Sequence, residues 1–214
     1  FIVRNGAEWF SALGPEKNGG PKLFCVSGHV KRPGVYEASM NITLRELIFE
    51  HAGGMRSDKK LKAIIPGGAS APFLTEQHLD VKLDFESVAQ AGSMLGSGGV
   101  TVMEEGTSMV WAALRLMEFF FHESCGKCSP CREGSSWLTQ TVRRILAKRG
   151  RMEDLETLKQ LCQNIAGRTV CAFGDAEVAP IMSTLQYWRH EYEELIREAE
   201  AHREKELPMA AVRH

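Results

Sequence analysis

The chain has 214 residues, 43% hydrophobic and 25% charged, with 26 basic side chains against 27 acidic ones. That length holds one large domain or two small ones, each with its own core. The near-balance of charge speaks against a nucleic-acid or anionic-membrane partner.

The opening FIVRNGAEWF lacks the basic region and apolar run of a signal peptide, and it lacks an initiator Met. It reads as the middle of a longer protein, with residues 1–21 a linker or the end of something upstream. The first strand expected is Lys22–Gly28, where Phe24 and Val26 share one face and the thiol of Cys25 is expected to pack. Pro33-Gly34 makes a turn into a second short run, Val35–Glu37, which together signal a hairpin. NITLRELIFEHAGG is an amphipathic helix with Leu44, Leu47 and Ile48 at i, i+3, i+4, Asn41 or Thr43 at its start, and Gly53-Gly54 at its end. Further strands follow at Leu61–Gly68 and Gly98–Glu104. Hairpin, helix, then strands over residues 22–104 fit a small α+β domain of the β-grasp arrangement, with one helix packed across the sheet.

After Met103 the periodicity changes to helical. SMVWAALRLMEFFFHE is apolar around most of its circumference and should be largely buried; it carries Arg115 and Glu118 and is too short to span a bilayer. A soluble, cytosol-facing chain with no direct membrane insertion is expected. REGSSWLTQTVRRILAKRG places Trp137, Leu138, Val142, Ile145 and Leu146 on one face, and MEDLETLKQLCQNI repeats the stripe with Leu155, Leu158, Leu161, Cys162 and Ile165. EVAPIMSTLQYWRHEYEELIREAEAHREKE is a fourth helix, charged toward its end. Residues 105–200 thus form a four-helix bundle, and residues 201–214 a charged tail with little to bury.

The chemistry lies in HESCGKCSPCREG. Cys125, Cys128 and Cys131 form C-x-x-C-x-x-C, a spacing at which a wrapped backbone brings three thiolates onto one small object. Gly126 and Pro130 suit so tight a loop. A helix begins at once afterwards, so its free N–H groups and dipole, with Lys127 and Arg132, favour an anionic occupant. Six cysteines in a chain this long need not be a disulfide framework. Structural zinc also takes four thiolates, but usually from paired C-x-x-C knuckles; three closely spaced cysteines and one distant one are the habit of a [4Fe-4S] cluster.

The fourth ligand must be Cys25, Cys162 or Cys171. Cys162 lies on an apolar helical stripe as a core thiol, and Cys25 lies mid-strand in the other domain. Cys171, in the glycine-flanked loop GRTVCAFGDAE, is the choice. His122 beside the loop is a candidate donor to the cluster, with a capping or solvent role as the alternative. GSMLGSGGV (Gly92–Val100) fits neither G-x-G-x-x-G nor G-x-x-x-x-G-K-S/T and is read as a turn with close backbone approach, with phosphate binding the lesser reading. No catalytic triad or carboxylate pair stands out.

KLFCVSGHVKRPGVYE, AGSMLGSGGV, HESCGKCSPCREG and CAFGDAE together resemble the C-terminal half of the NADH-binding, flavin-containing subunit of respiratory complex I, the F subunit in bacteria and the 51-kDa subunit in mitochondria. The resemblance implies that Arg32–Tyr36 belongs to a soluble-ligand-binding β-grasp domain. It also implies a [4Fe-4S] cluster on Cys125, Cys128, Cys131 and Cys171. In that family an upstream domain, of which residues 1–21 would be the end, holds FMN and NADH, so no cofactor-binding or catalytic residue transfers here and this piece alone is expected to be inactive. The family implies 24-kDa-type and 75-kDa-type iron–sulfur subunits as partners. It also implies a peripheral place on the cytoplasmic face of the bacterial inner membrane, or on the matrix side in mitochondria. The diaphorase subunit of an NAD-reducing hydrogenase or NAD-dependent formate dehydrogenase shares these modules and is the alternative; a zinc-stabilised, non-enzymatic interaction module is a third.

Overall fold

The computed structural model describes residues 1–206, and the chain divides into two units, Phe1–Thr107 and Ser108–His214. In the first, two short helical turns, α1 (Ile2–Asn5) and α2 (Ala7–Ser11), precede strand β1 (Pro21–Gly28). β1 pairs antiparallel with β2 (Gly34–Ser39), Phe24 opposite Tyr36 and Cys25 opposite Val35. β3 (Leu61–Ile65) pairs antiparallel with β4 (Gly99–Glu104), and β4 lies parallel to β1, giving the order β2-β1-β4-β3. A hairpin at one edge with the first and last strands parallel at the centre is the β-grasp order. Strand alternation buries Phe24 and Val26 and turns Cys25 outward. The expectation that Cys25 packs is therefore corrected: its neighbours fill the core and its own thiol is exposed.

The crossing helix starts at Thr43, not Asn41. The Glu46 N–H donates to Thr43 Oγ1 at 3.1 Å, and the Thr43 N–H donates to Glu46 Oε2 at 2.7 Å, a reciprocal cap. Leu44, Leu47 and Ile48 are fully buried, as the stripe requires. The helix then widens over Glu46–His51, with the Ala52 N–H reaching back five residues to Leu47 O at 3.0 Å. Arg32 holds that end: its Nη2 donates to Glu50 O and His51 O at 3.0 and 3.1 Å, while Tyr36 meets the His51 ring edge-on at 5.9 Å. The run RPGVYE is thus an anchor between hairpin and helix. A further helix, α3 (Phe85–Gln90), is capped by Asp84, whose Oδ1 accepts from the Ser87 N–H at 2.7 Å.

The glycine-rich turn is a backbone-on-backbone contact. A Cβ on Gly67 would lie 2.1 Å from Met94 O, and one on Gly96 would lie 2.4 Å from Gly67 O. Only glycine lets the two loops lie so close.

The second unit consists of α4 (Met109–Glu123), α5 (Ser129–Leu146), α6 (Glu153–Ile165) and α7 (Phe173–Glu206), each helix packed against the next, with α4 also against α7. Its core includes Met109, Met117, Leu138, Val142, Leu155, Leu158, Ile181 and Tyr192. Two expectations are corrected. α4 is buried along one side and leaves Trp111, Phe119 and Phe121 about half exposed; among the described residues of this unit, α5 and α7 are the helices packed against it. Trp137 lies at the edge of its stripe and is 53% exposed. α7 departs from helical geometry at Trp188, with φ −131° and ψ 34°. The charged tail expected over 201–214 is helix as far as Glu206 and otherwise lies outside the described residues. Among the described residues no helix is long and apolar enough to cross a membrane.

Candidate metal centre

Two loops of the helical unit face each other, the one before α5 and the one before α7. Together they line a cavity of about 160 Å³ with Cys125, Cys128, Cys131 and Cys171, beside Glu123, Lys127, Thr169, Phe173 and Gly174. All four cysteines singled out from the sequence meet at this one place. Cys162 is buried in the bundle and does not line it.

The first loop is shaped locally. Gly126 adopts φ 72°, the left-handed region that suits glycine. Arg132 reaches back to donate from Nη1 to Gly126 O at 2.7 Å and from Nε to Glu133 Oε1 at 2.8 Å, so its guanidinium braces the loop. Cys128 is the N-cap of α5, Pro130 occupies the first turn, and Cys131 follows one turn inward, 6% exposed. The N-terminal end of α5 therefore points its unpaired N–H groups toward the thiols.

The second loop is pinned by CAFGDAE. The Gly167 N–H donates to Asp175 Oδ1 at 2.7 Å, and Thr169 Oγ1 donates to Cys171 O at 2.7 Å. A Cβ on Gly174 would sit 2.5 Å from Thr169 Oγ1, so glycine is what lets the loop fold onto the start of α7. The Val170 N–H then points at Cys128 Sγ, 3.5 Å away. Phe173 forms an apolar wall, braced edge-on by Phe120 at 5.4 Å.

Electrostatically the cavity is graded. Cys125 and Cys171 are exposed, Cys128 is intermediate and Cys131 is buried. Burial pushes the Cys131 thiol up; Ser124, with Oγ 3.3 Å from Cys131 Sγ, opposes the shift, and Glu177 adds to it. Glu177, fully buried on α7, is itself pushed up to about 7 by burial. Burial, then Glu177, takes Cys162 to about 12, which keeps it a neutral core thiol. His122 is not a donor here: its side chain is 84% exposed and pairs with Glu123, Nδ1 to Oε1 at 2.9 Å.

The donor set fits a cluster better than a single ion. Thiols alone suit soft metals and iron–sulfur clusters. The four thiols line a space with an N–H donor and a helix N-terminus beside it, which a multi-iron anion would use.

The sequence reading missed Glu177. It lies on the same face of α7 as Ile181, Thr184, Leu185, Trp188 and Tyr192, all buried. An acid placed on that stripe was the available signal.

Two stretches of the chain match known domain families. Residues 111–195 match the NADH-ubiquinone oxidoreductase-F iron-sulfur binding region, and residues 22–102 match the SLBB domain. An F subunit of NADH-quinone oxidoreductase from Rhizobium meliloti (strain 1021) is 51% identical over 89% of the chain and 45% of the relative. The chain is homologous to part of that F subunit. The F subunit of the same enzyme from Streptomyces coelicolor is 50% identical over 91% of the chain and 43% of its own length. The chain thus spans about half the length of the curated relatives it matches. A solved NAD+-reducing [NiFe]-hydrogenase in the H2-reduced state aligns with a TM-score of 0.81 at 31% identity, over 91% of this chain and 33% of that one. The helical unit carries a 4Fe-4S binding region of the NADH-ubiquinone oxidoreductase-F type.

Proposed function

We propose that the chain is the iron–sulfur part of an NADH dehydrogenase subunit, and that Cys125, Cys128, Cys131 and Cys171 hold its [4Fe-4S] cluster. The observation that carries this is the meeting of these four thiols at one cavity, within a region of the oxidoreductase-F iron–sulfur type. When bound, the cluster supplies a one-electron carrier, the partner that a flavin needs after taking a two-electron hydride from NADH. The chain's own residues do the rest. Cys131 would hold it from the buried side and Cys125 and Cys171 from the exposed side, the Val170 N–H and the start of α5 would offset sulfur charge, and Phe173 lines the cavity with an apolar ring. Electrons would pass onward toward quinone through iron–sulfur subunits of the 24-kDa and 75-kDa types, at the cytoplasmic face of a bacterial membrane or its mitochondrial counterpart.

By itself the chain is proposed to neither retain FMN nor oxidise NADH, since its glycine-rich turn fits neither phosphate-binding glycine motif and packs against its own backbone. The likeness to a hydrogenase subunit supports a second reading, a diaphorase that passes electrons between NAD and hydrogenase clusters; the identity to the F subunits of NADH-quinone oxidoreductases favours the first. The test is composition. Anaerobically reconstituted chain should bind about four iron and four acid-labile sulfide, whereas one equivalent of zinc without sulfide, under iron-replete conditions, would falsify the cluster.

A further inference from the structure

From Thr141 to Arg151, five of eleven residues are basic and none is acidic, in a chain whose charges as a whole nearly cancel. The run spans the last turn of α5 and the turn after it, at the opposite end of the helix from Cys128 and Cys131. Arg143, Arg144 and Arg149 line a cleft of about 450 Å³ there, with Gln140 and Ala147.

Two of the three arginines have local partners. Arg143 and Arg144 lie in the last turn of α5, where positive charge opposes the helix dipole. Arg143 Nη2 donates to Glu118 Oε1 at 2.9 Å, and Arg144 Nε donates to Asp154 Oδ2 at 3.2 Å. Arg149 is different. It follows the helix and is exposed, and among the described residues its side chain has no hydrogen bond or ion pair. The turn nevertheless delivers it to the cleft. Lys148 takes the left-handed position that glycine ordinarily fills at a helix end, with φ 55°, and its Nζ lies 2.7 Å from Glu198 Oε2. The Arg149 N–H then returns to Arg144 O at 3.0 Å.

Three guanidinium groups around one cleft repel one another, and two carboxylates answer them. A third carboxylate would complete the set. Guanidinium forks bind carboxylates through two parallel hydrogen bonds. Arg143 engages Glu118 through Nη2 alone, and the whole fork of Arg149 is open, so an entering carboxylate finds donors on both. Among the described residues no aromatic ring lines the cleft, so a nucleotide base would have nothing to stack on.

We infer that this cleft docks an acidic peptide, a Glu- or Asp-rich segment of a neighbouring subunit, whose carboxylates bridge Arg143 and Arg149. That the segment belongs to another subunit rests on the proposed place of the chain in a larger enzyme. The arginine site itself does not depend on the cluster.

The experiment uses the full chain, reconstituted anaerobically, with fluorescein-labelled hexaglutamate as the probe and anisotropy as the readout. The wild type should bind the probe, more tightly at low than at physiological salt. Arg149→Glu should weaken binding about tenfold, and Arg149→Lys, which keeps the charge but loses the fork, should weaken it less. Lys17→Glu makes the same charge change at an exposed position of the first unit and should stay within about twofold of wild type. Iron and sulfide content should be the same in all four proteins. The inference is overturned if the wild type does not bind the probe, or if Arg149→Glu and Lys17→Glu weaken it equally, which would make net charge the cause. Inorganic pyrophosphate that binds more tightly than the peptide, and through Arg149, would make this a phosphate site and overturn it too. Should Arg149→Glu misfold, Arg149→Ala takes its place. Wild-type chain that binds the probe in this Arg149-dependent way yet takes up no iron and sulfide supports this inference and overturns the cluster assignment alone.

Discussion

Cys162 and Cys171 carry the same thiol into opposite surroundings: one is sealed in the bundle, the other lies at the rim of the cavity. Cys171→Ser should therefore lose most of the iron and the cluster EPR signal. Cys162→Ala should keep both and cost about 1 kcal/mol in thermal or denaturant stability, the scale of a small core truncation. Retained iron in the first variant with loss in the second would reverse the ligand assignment. Gly67 is a purely steric case. Ala there puts Cβ 2.1 Å from the Met94 carbonyl oxygen, and backbone cannot give way as a flexible side chain does; a loss of ~3 kcal/mol in the sheet unit is expected by chemical denaturation. The three clustered cysteines were legible because spacing alone brings them together. Glu177 and the outward turn of Cys25 were legible only by asking which face each residue occupies, and the role of Arg132 as a loop brace depends on atoms that spacing does not locate.

Among the elements, the strands and the four long helices follow from periodicity, since alternation and the 3.6-residue stripe both report which side meets a core. What periodicity leaves open is how much of a stripe is covered. α4 carries apolar residues on nearly all sides, yet its neighbours cover one, so Trp111, Phe119 and Phe121 stay half exposed. The wide end of the crossing helix was not legible either, because Arg32, distant in sequence, satisfies its carbonyls. Its other end is local. Thr43→Ala removes the hydroxyl that accepts from the Glu46 N–H, and should cost about 1 kcal/mol by urea unfolding, with Thr43→Ser close to neutral. An effect below a few tenths would mean that the helix is held by its buried face alone.

For the molecule as a whole, the sequence changes from β to helical texture near Met103, and the structure divides into two units between Thr107 and Ser108. Every proposed ligand belongs to the helical unit. Chelating the metal should accordingly raise amide exchange within α5, α6 and the loops before α5 and α7, as metal binding is coupled to folding. Unchanged protection there would mean that the bundle is complete without its metal. The two facing loops have a further consequence in the language of polymer topology. A group bonded at once to Cys131 and Cys171 ties the chain into a ring of about 40 residues that contains nearly all of α5 and all of α6. In an unfolded chain, a cross-link closing a ring of this size removes conformational freedom worth roughly 4 kcal/mol. The inorganic core would act as a staple as well as a wire, so that electron transfer and the endurance of the bundle are lost through the same broken bond.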